Sequence, residues 1–302
     1  MSDDPKSRLS IGAIEARRDV IVAGVIGEIR IYNGEPTRSP ARPIGPPPPL
    51  DAGAAAPALA ALRRQETCVY LGGRYGLTPH SLAPPKFFEG LELGVAPPPC
   101  STLGEAISFL ADTLGLAAAK RHLAEVYGLI DILEKEPQRE LVALAPHLSG
   151  HFVATGTWSA RIQNALGSNI EVLQDEPQGH FRPGGGRRTR LLMLHGSEQS
   201  FQTALVAQDD VASYGDHRGR LAAVVEELLT SPWVALGASR ATDATFLLMV
   251  RSVSRSLGSQ PPPIYVIDPR TNEEVAREWP REALRHLRMT PAQFLKAAKA
   301  QP

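Results

Sequence analysis

Short runs of apolar, β-rich residues recur from residue 67 onward, and each of them stops at small or polar residues. The runs are TCVYL (67–71), HFVAT (151–155), IEVL (170–173), RLLML (190–194), WVALG (233–237) and IYVID (264–268). Segments whose apolar residues follow a helical spacing lie between them. Strands that are apolar throughout and alternate with amphipathic helices are typical of a mostly parallel sheet with helices on both faces. The sequence therefore predicts an α/β, Rossmann-like fold.

Helical spacing of apolar residues predicts six helices in this part of the chain. They cover residues 103–115, 120–135, about 158–166, 218–231, 241–257 and 291–300. The clearest is 218–231, whose apolar stripe follows the i, i+3, i+4, i+7, i+8 pattern through Leu221, Val224, Val225, Leu228 and Leu229. The first is preceded by Thr102, with Glu105 three residues later, which is the pattern of a capping box.

Two regions ahead of residue 66 differ in composition from the rest. Within residues 1–38, two short β-branched runs lie around Gly24 and Gly27 and could form a β-hairpin. An isolated hairpin is marginally stable in water, so it would need the main body, a partner chain or a second copy to pack against. Residues 39–65 are rich in proline and alanine and are predicted to be a linker. We therefore expect an N-terminal segment that could contact a protein partner or form a homo-oligomer, a linker, and an α/β domain at 66–302.

Charge and cysteine content exclude several classes of protein. Lysine plus arginine and aspartate plus glutamate both number 32, so no net field attracts nucleic acid or an acidic membrane surface. No apolar run is long enough to cross a bilayer, and the first residues lack the pattern of a signal peptide, so a cytoplasmic location is expected. The two cysteines, Cys68 and Cys100, cannot form a four-cysteine zinc site, and no metal is expected.

The ends of the predicted strands are where a ligand is expected. Parallel sheets bind ligands at the carboxyl ends of their strands, at the point where the strand order reverses. Any one of these ends could be a tight turn, but together they favour a nucleotide cleft. The small and polar residues that follow the strands are Gly72, Gly73, Thr155, Gly156, His195, Gly196, Gly237, Ala238, Ser239 and Asp268.

Four segments of the chain resemble a known family. They are CVYLGGRYGL, HFVATGTWSARIQNAL, a central block that begins at RLLMLHGS and ends at VALGASRATDATF, and IYVIDP. In this order they are similar to the sirtuin-like NAD-binding domain of bacterial defence and effector proteins, over roughly residues 66–300. The central block carries the most specific likeness, with Leu-His-Gly-Ser, Asp209-Asp210 and a strand that ends in Gly-x-Ser-x-x-x-Asp.

The resemblance implies a Rossmann-like domain that binds NAD across the strand ends, and active members cleave the bond between nicotinamide and ribose. His195 matches the family's histidine, which acts as general base; an imidazole suits that role because its ordinary pKa lies near working pH. Gly72 and Gly73 would let backbone N–H groups approach the pyrophosphate. The adenosine side would be contacted by Ser239 and Asp268. The remaining predicted contacts to NAD are Arg74, Thr155, Thr157 and Gly237.

The chain departs from the family pattern where catalysis needs it most. Thr157 stands where the family has an asparagine that holds the ribose or the attacking water, and loss of such a group commonly costs a factor of about a hundred in rate. Arg74 occupies the third glycine position of the phosphate loop, where it could bind a phosphate or fill the cavity. Deacylation is not expected, because deacylases of the family usually carry a four-cysteine zinc module.

Three functional hypotheses follow, and they belong to different classes. In one, the domain binds NAD or an ADP-ribose-type nucleotide in a bacterial conflict or anti-phage system, with weak or absent NAD glycohydrolase activity. The alternatives are an active NAD hydrolase that uses His195, and an assembly or scaffold domain that binds no nucleotide. The other seven histidines, His80 among them, show no ligand spacing and are predicted to be surface or packing residues.

Overall fold

The computed structural model describes residues 52–63, 67–81, 83, 87–133, 135–173, 188–198, 203–258 and 261–300. The hairpin predicted in residues 1–38 lies outside these ranges. The α/β domain predicted from residue 66 onward supplies every strand of the fold described below.

Seven strands form one parallel sheet, which confirms the predicted fold class. They are β1 (Cys68–Leu71), β2 (Phe152–Thr155), β3 (Ile170–Leu173), β4 (Thr189–Met193), β5 (Trp233–Leu236), β6 (Ile264–Ile267) and β7 (Leu284–Leu287). Six of them were predicted from the apolar runs; β7 was not. The spatial order is β3-β4-β2-β1-β5-β6-β7, and every neighbouring pair is parallel.

Apart from the edge strand β3, the strand order contains one reversal of direction. From β1 the chain adds β2 and then β4 on one side, and it then crosses back to place β5 on the other side of β1. Without the edge strand β3, the remaining six strands follow the order of the dinucleotide-binding fold, in which the ligand lies at the reversal. The reversal here is between β1 and β5.

The carboxyl ends of the central strands lie at one level. Leu71 is the register partner of both Thr155 and Leu236, which are the last residues of β2 and β5. Thr155 pairs in turn with Met193 at the end of β4. The loops that follow β1, β2, β4 and β5 therefore emerge side by side, as the sequence predicts.

Helices cover both faces of the sheet and its carboxyl edge. They are α1 (Ala52–Arg63), α2 (Leu103–Leu114), α3 (Leu116–Leu133), α4 (Lys135–Leu144), α5 (Ala160–Leu166), α6 (Gln208–Ala212), α7 (Tyr214–Leu228), α8 (Ala244–Ser256), α9 (Asn272–Glu278) and α10 (Pro291–Ala300). Short 3₁₀ turns occupy Gly73–Tyr75 and Ala145–Leu148. All six predicted helices are present, and the capping box of Thr102 and Glu105 forms at the start of α2.

Alternation of side chains along each strand builds two cores. Tyr70 of β1 faces the core that contains the buried residues of α7 and α8. Its neighbour Leu71 faces the core formed with α1, α4 and α10. A third cluster joins α2 and α3 to Trp158 after β2 and to Ala204, Val206 and Ala207 after β4. This helical cap lies against the loops at the carboxyl edge and buries much of it.

The helix α1 lies in the range that the sequence predicts to be a linker. Its Ala55, Ala58 and Leu59 are buried against the core that contains α10. The helix forms although Pro57 lies inside it. Among the described residues, no helix is both long enough and apolar enough to cross a membrane.

Candidate functional site

His195 lies at the carboxyl edge, two residues beyond the end of β4, and its side chain is only 1% exposed. Nδ1 lies 2.7 Å from the carbonyl oxygen of Gly156, in the loop after β2. Because a carbonyl only accepts, Nδ1 carries the hydrogen and donates it. Nε2 lies 3.0 Å from the Thr245 hydroxyl in the first turn of α8 and accepts from it. Both ring nitrogens are therefore engaged by the protein.

Burial holds His195 in its neutral form. Loss of hydration is the main cause that lowers its pKa to about 3, and the neighbouring His80 lowers it further, while the bond to Gly156 acts in the opposite direction. The ring of Tyr214 stands edge-on to the imidazole, with the ring centroids 5.9 Å apart. An imidazole that is neutral at pH 7 can accept a proton or a hydrogen bond but carries no charge to attract an anion.

His80 is a second imidazole at this edge, although the sequence predicts it to be a surface or packing residue. It lies in the loop after β1 and is half-buried. Its Nε2 is 3.2 Å from the same Thr245 hydroxyl, and its ring centroid is 6.0 Å from that of His195. Burial lowers the pKa of His80 to about 4. The two imidazoles thus share one hydroxyl, although no sequence signal connects them.

Asp243, the last residue of the Gly-x-Ser-x-x-x-Asp motif, ties the loops after β1 and β5 together. Its buried carboxylate accepts hydrogen bonds from the Tyr70 hydroxyl at 2.7 Å and from the Thr242 hydroxyl at 2.6 Å. The backbone N–H groups of Gly73 and Ser239 donate to it at 3.1 and 2.9 Å. Burial raises the pKa of Asp243, and these four donors oppose the rise. The motif was recognised in the sequence, but its aspartate was not predicted to be a site residue.

The glycines after β1 and β5 allow these two loops to touch. A Cβ on Gly72 would lie 2.4 Å from the Cα of Ala238, and one on Gly73 would lie 2.3 Å from the Cβ of Thr242. Gly237 has φ +62, and a Cβ there would lie 2.6 Å from that of Arg74. Close contact within the protein therefore explains these glycines. Their role toward a pyrophosphate stays a prediction.

Thr155 and Thr157 are fully buried and bond to each other rather than to solvent. The Thr155 hydroxyl donates to the carbonyl of Leu71 at 2.7 Å, and it accepts from the N–H of Thr157 at 3.1 Å. The two hydroxyl oxygens are also 3.1 Å apart. Since the Thr155 hydrogen is used on Leu71, the Thr157 hydroxyl is the donor of that pair. These contacts join the ends of β1 and β2.

The predicted contact residues Arg74 and Asp268 are paired with other charges. The guanidinium of Arg74 donates to both oxygens of Glu140 in α4, at 2.9 Å each. Asp268, after β6, accepts hydrogen bonds from Nε and Nη2 of Arg270 at 2.8 to 3.1 Å. Nη1 of the same guanidinium donates to Glu278. The structure therefore brings Gly73, Ser239, Thr155, Thr157 and His195 into one connected edge. Arg74 and Asp268 form separate ion pairs.

No protein-family model matches the chain, and no curated protein is significantly similar to it. The sirtuin-like resemblance accordingly stays a prediction from the residues quoted above.

The groups that hydrogen-bond to the two imidazole rings, the Gly156 carbonyl and the Thr245 hydroxyl, are neutral. The two imidazoles and the Thr245 hydroxyl that they share donate and accept hydrogen bonds. The Tyr214 hydroxyl, beside His195, is buried and makes no hydrogen bond within the part of the chain that the structure describes. Among those same residues, no group of three or more His, Cys, Asp or Glu side chains could hold a metal ion.

Proposed function

We propose that this domain binds NAD or an ADP-ribose-type nucleotide at the carboxyl edge of the sheet and cleaves NAD weakly or not at all. The observation that carries the proposal is the pair of imidazoles, His80 and His195, beside the reversal of strand order between β1 and β5. Open α/β sheets bind their ligands at this position.

Weak turnover follows from the groups that are already engaged. Both nitrogens of His195 bond to protein atoms, so neither is available as a base without a rearrangement. Thr157 replaces the family's asparagine, and its hydroxyl is committed to Thr155. A base must lie within hydrogen-bond reach of the proton that it removes, and these contacts keep His195 from that position.

The same contacts indicate how a nucleotide would be recognised. The N–H of Gly73, the predicted pyrophosphate donor, is held by Asp243, and Arg74 is held by Glu140. A phosphate could use the N–H of Gly73 only by displacing the Asp243 carboxylate, and it would meet an Arg74 whose charge is already paired with Glu140. We therefore propose that the ribose and the bases supply most of the affinity. By the same resemblance, the proposal places the protein in a bacterial conflict or anti-phage system, with the N-terminal segment as the contact for a partner or a second copy.

A second candidate function is an assembly domain that binds no nucleotide. The observation that favours it is the burial of the edge itself, since Thr155, Thr157 and His195 are at most 1% exposed. The hydrogen bonds to Asp243 also hold the loops after β1 and β5 together without a ligand.

Thermal melting with NAD and with ADP-ribose distinguishes the two candidates. A ligand at ten times its dissociation constant adds about 1.4 kcal/mol to the free energy of unfolding, which raises the melting temperature of a domain of this size by about 3–5 °C. A shift of that order with either compound supports the binding function. No shift with either, up to millimolar concentration, contradicts it and favours the assembly domain.

Nicotinamide release measured on the same protein tests the statement about turnover. We expect a rate near background for the wild type and a higher rate for Thr157→Asn, which restores the family's amide. His195→Ala in the Thr157→Asn background should remove the gain. Rapid release by the wild type would show instead that the domain is an active NAD hydrolase.

A further inference from the structure

The hydrogen bonds between the two imidazoles run in one direction. The chain starts at Gly156, whose carbonyl can only accept, so His195 carries its hydrogen on Nδ1. Because the ring is neutral, Nε2 holds a lone pair and accepts the hydrogen of the Thr245 hydroxyl. That hydroxyl has no second hydrogen, so it can only accept from Nε2 of His80, 3.2 Å away. The carbonyl of Gly156 thereby determines the tautomer of His80.

The consequence is a free lone pair on Nδ1 of His80. With its hydrogen on Nε2, a neutral imidazole has its other nitrogen as an acceptor. Within the described residues, no hydrogen bond involves Nδ1 of His80. His80 is also the more exposed of the two rings, since His195 is almost completely buried.

The loop that carries His80 is held on several sides. The Thr78 hydroxyl accepts from the N–H of His80 at 3.2 Å and donates to the carbonyl of Thr242 at 2.8 Å. The carbonyls of Leu77 and Pro79 accept from the backbone N–H groups of Trp158, after β2, and Gly104, in α2, at 3.1 and 2.8 Å. A side chain held by its neighbours in this way is oriented before a ligand arrives, which lowers the entropy cost of binding.

We propose that His80, rather than His195, is the residue that contacts the ligand, and that His195 acts through Thr245 as a positioning residue. The Nδ1 of His80 accepts a hydrogen bond from a hydroxyl of the nucleotide, such as a ribose hydroxyl. An ionised phosphate oxygen has no hydrogen to donate, so this nitrogen recognises a sugar and not a phosphate. The assignment of the ligand rests on the proposed function, whereas the direction of the hydrogen-bond chain does not.

Nitrogen-15 NMR of histidine-labelled protein tests the chain without any ligand. At pH 7 the wild type should show His195 with its hydrogen on Nδ1 and His80 with its hydrogen on Nε2. Thr245→Val, which keeps the shape but removes the hydroxyl, should leave the tautomer of His195 unchanged and release His80 into a mixture. Thr245→Ser, which keeps the hydroxyl, should behave as the wild type does. The proposal is overturned if His80 carries its hydrogen on Nδ1, or if the tautomer of His80 is the same in Thr245→Val as in the wild type.

Titration with ADP-ribose and with NAD tests the contact. If either binds, the Nδ1 resonance of His80 should move, and His80→Ala should weaken binding at least tenfold. His217→Ala, which removes an exposed histidine of α7, is the control and should bind as the wild type does. Binding that leaves the His80 resonance unmoved overturns the contact. Absence of any binding contradicts both the proposed function and the contact. The positioning role of His195 is tested independently of that result by the tautomers measured without ligand.

Discussion

The fold should lose stability as the pH falls from 7 to 5, because His195 and His80 stay neutral in the folded chain. Burial lowers the pKa of His195 to about 3 and that of His80 to about 4, from an ordinary value of 6.5. Between these values the unfolded chain binds protons that the folded chain cannot bind. The contribution of the two neutral rings to the free energy of unfolding is therefore fully present above pH 6.5. It is lost progressively as the pH falls below that value.

The size of the effect depends mainly on the unfolded state. At pH 5 an imidazole in the unfolded chain is almost fully protonated, whereas both buried rings are still neutral. Each ring then contributes a loss of about 1.9 kcal/mol between pH 7 and pH 5, or about 4 kcal/mol for the pair. The loss is nearly the same for any folded pKa below about 4.5, because such a ring stays mostly neutral at pH 5.

Urea unfolding at pH 7, 6 and 5 measures the effect. His195→Gln should be less stable than the wild type at pH 7, but its free energy of unfolding should fall by about 1.9 kcal/mol less between pH 7 and pH 5. His217→Gln, at an exposed position in α7, is the matched control and should keep the pH dependence of the wild type.

Comparison of variant with wild type isolates the imidazole contribution. Burial also lowers the pKa of His151 and raises that of Asp243; the raised carboxyl pKa gives the opposite pH dependence, with stability lost as the pH rises above the ordinary carboxyl value. Both contributions are present in each protein and cancel in the difference. An identical pH dependence in His195→Gln and the wild type would refute the assignment of His195 as a buried neutral ring.

Two further substitutions test the junction between the loops after β1 and β5. Asp243→Ala leaves one buried hydroxyl and two backbone N–H groups without their acceptor. Urea unfolding should show a free energy of unfolding that is lower by about 4 kcal/mol. The control Asp112→Ala, on the exposed face of α2, should change it by less than about 0.5 kcal/mol. Gly72→Ala forces a Cβ into the backbone of Ala238 and should cost at least about 2 kcal/mol, whereas Gly94→Ala, where nothing lies within 4 Å, should be nearly neutral. Equal effects within either pair would contradict the packing described for this junction.

The elements that sequence reasoning predicted are those with a strong local pattern. The strands β1, β2, β4, β5 and β6 are continuous apolar runs because they are covered on both faces, and a glycine or polar residue ends each of them. The capping box of Thr102 and Glu105 predicts the first turn of helix α2. Neither signal depends on the rest of the chain.

The elements that it missed have no such pattern. The strand β7 reads Leu-Arg-His-Leu and lies at an edge, where it has one neighbour and keeps polar side chains partly exposed. The helix α1 consists largely of alanine, with Gly53 and Pro57, and its apolar side is short. It is ordered by packing against α10, which lies more than two hundred residues further along the chain.

The sequence by itself determined the parallel sheet and the edge at which its loops emerge, because the apolar runs and the small or polar residues that end them are local features of the chain. It also placed His195 at that edge. Only the tertiary structure decided what the imidazole does there, since the contacts of its nitrogens come from Gly156 and Thr245, 39 and 50 residues away. His80 joins the same hydroxyl from a separation of 165 residues. Hydrogen-bond direction and burial depend on atoms brought together by folding, and no spacing along the chain encodes them.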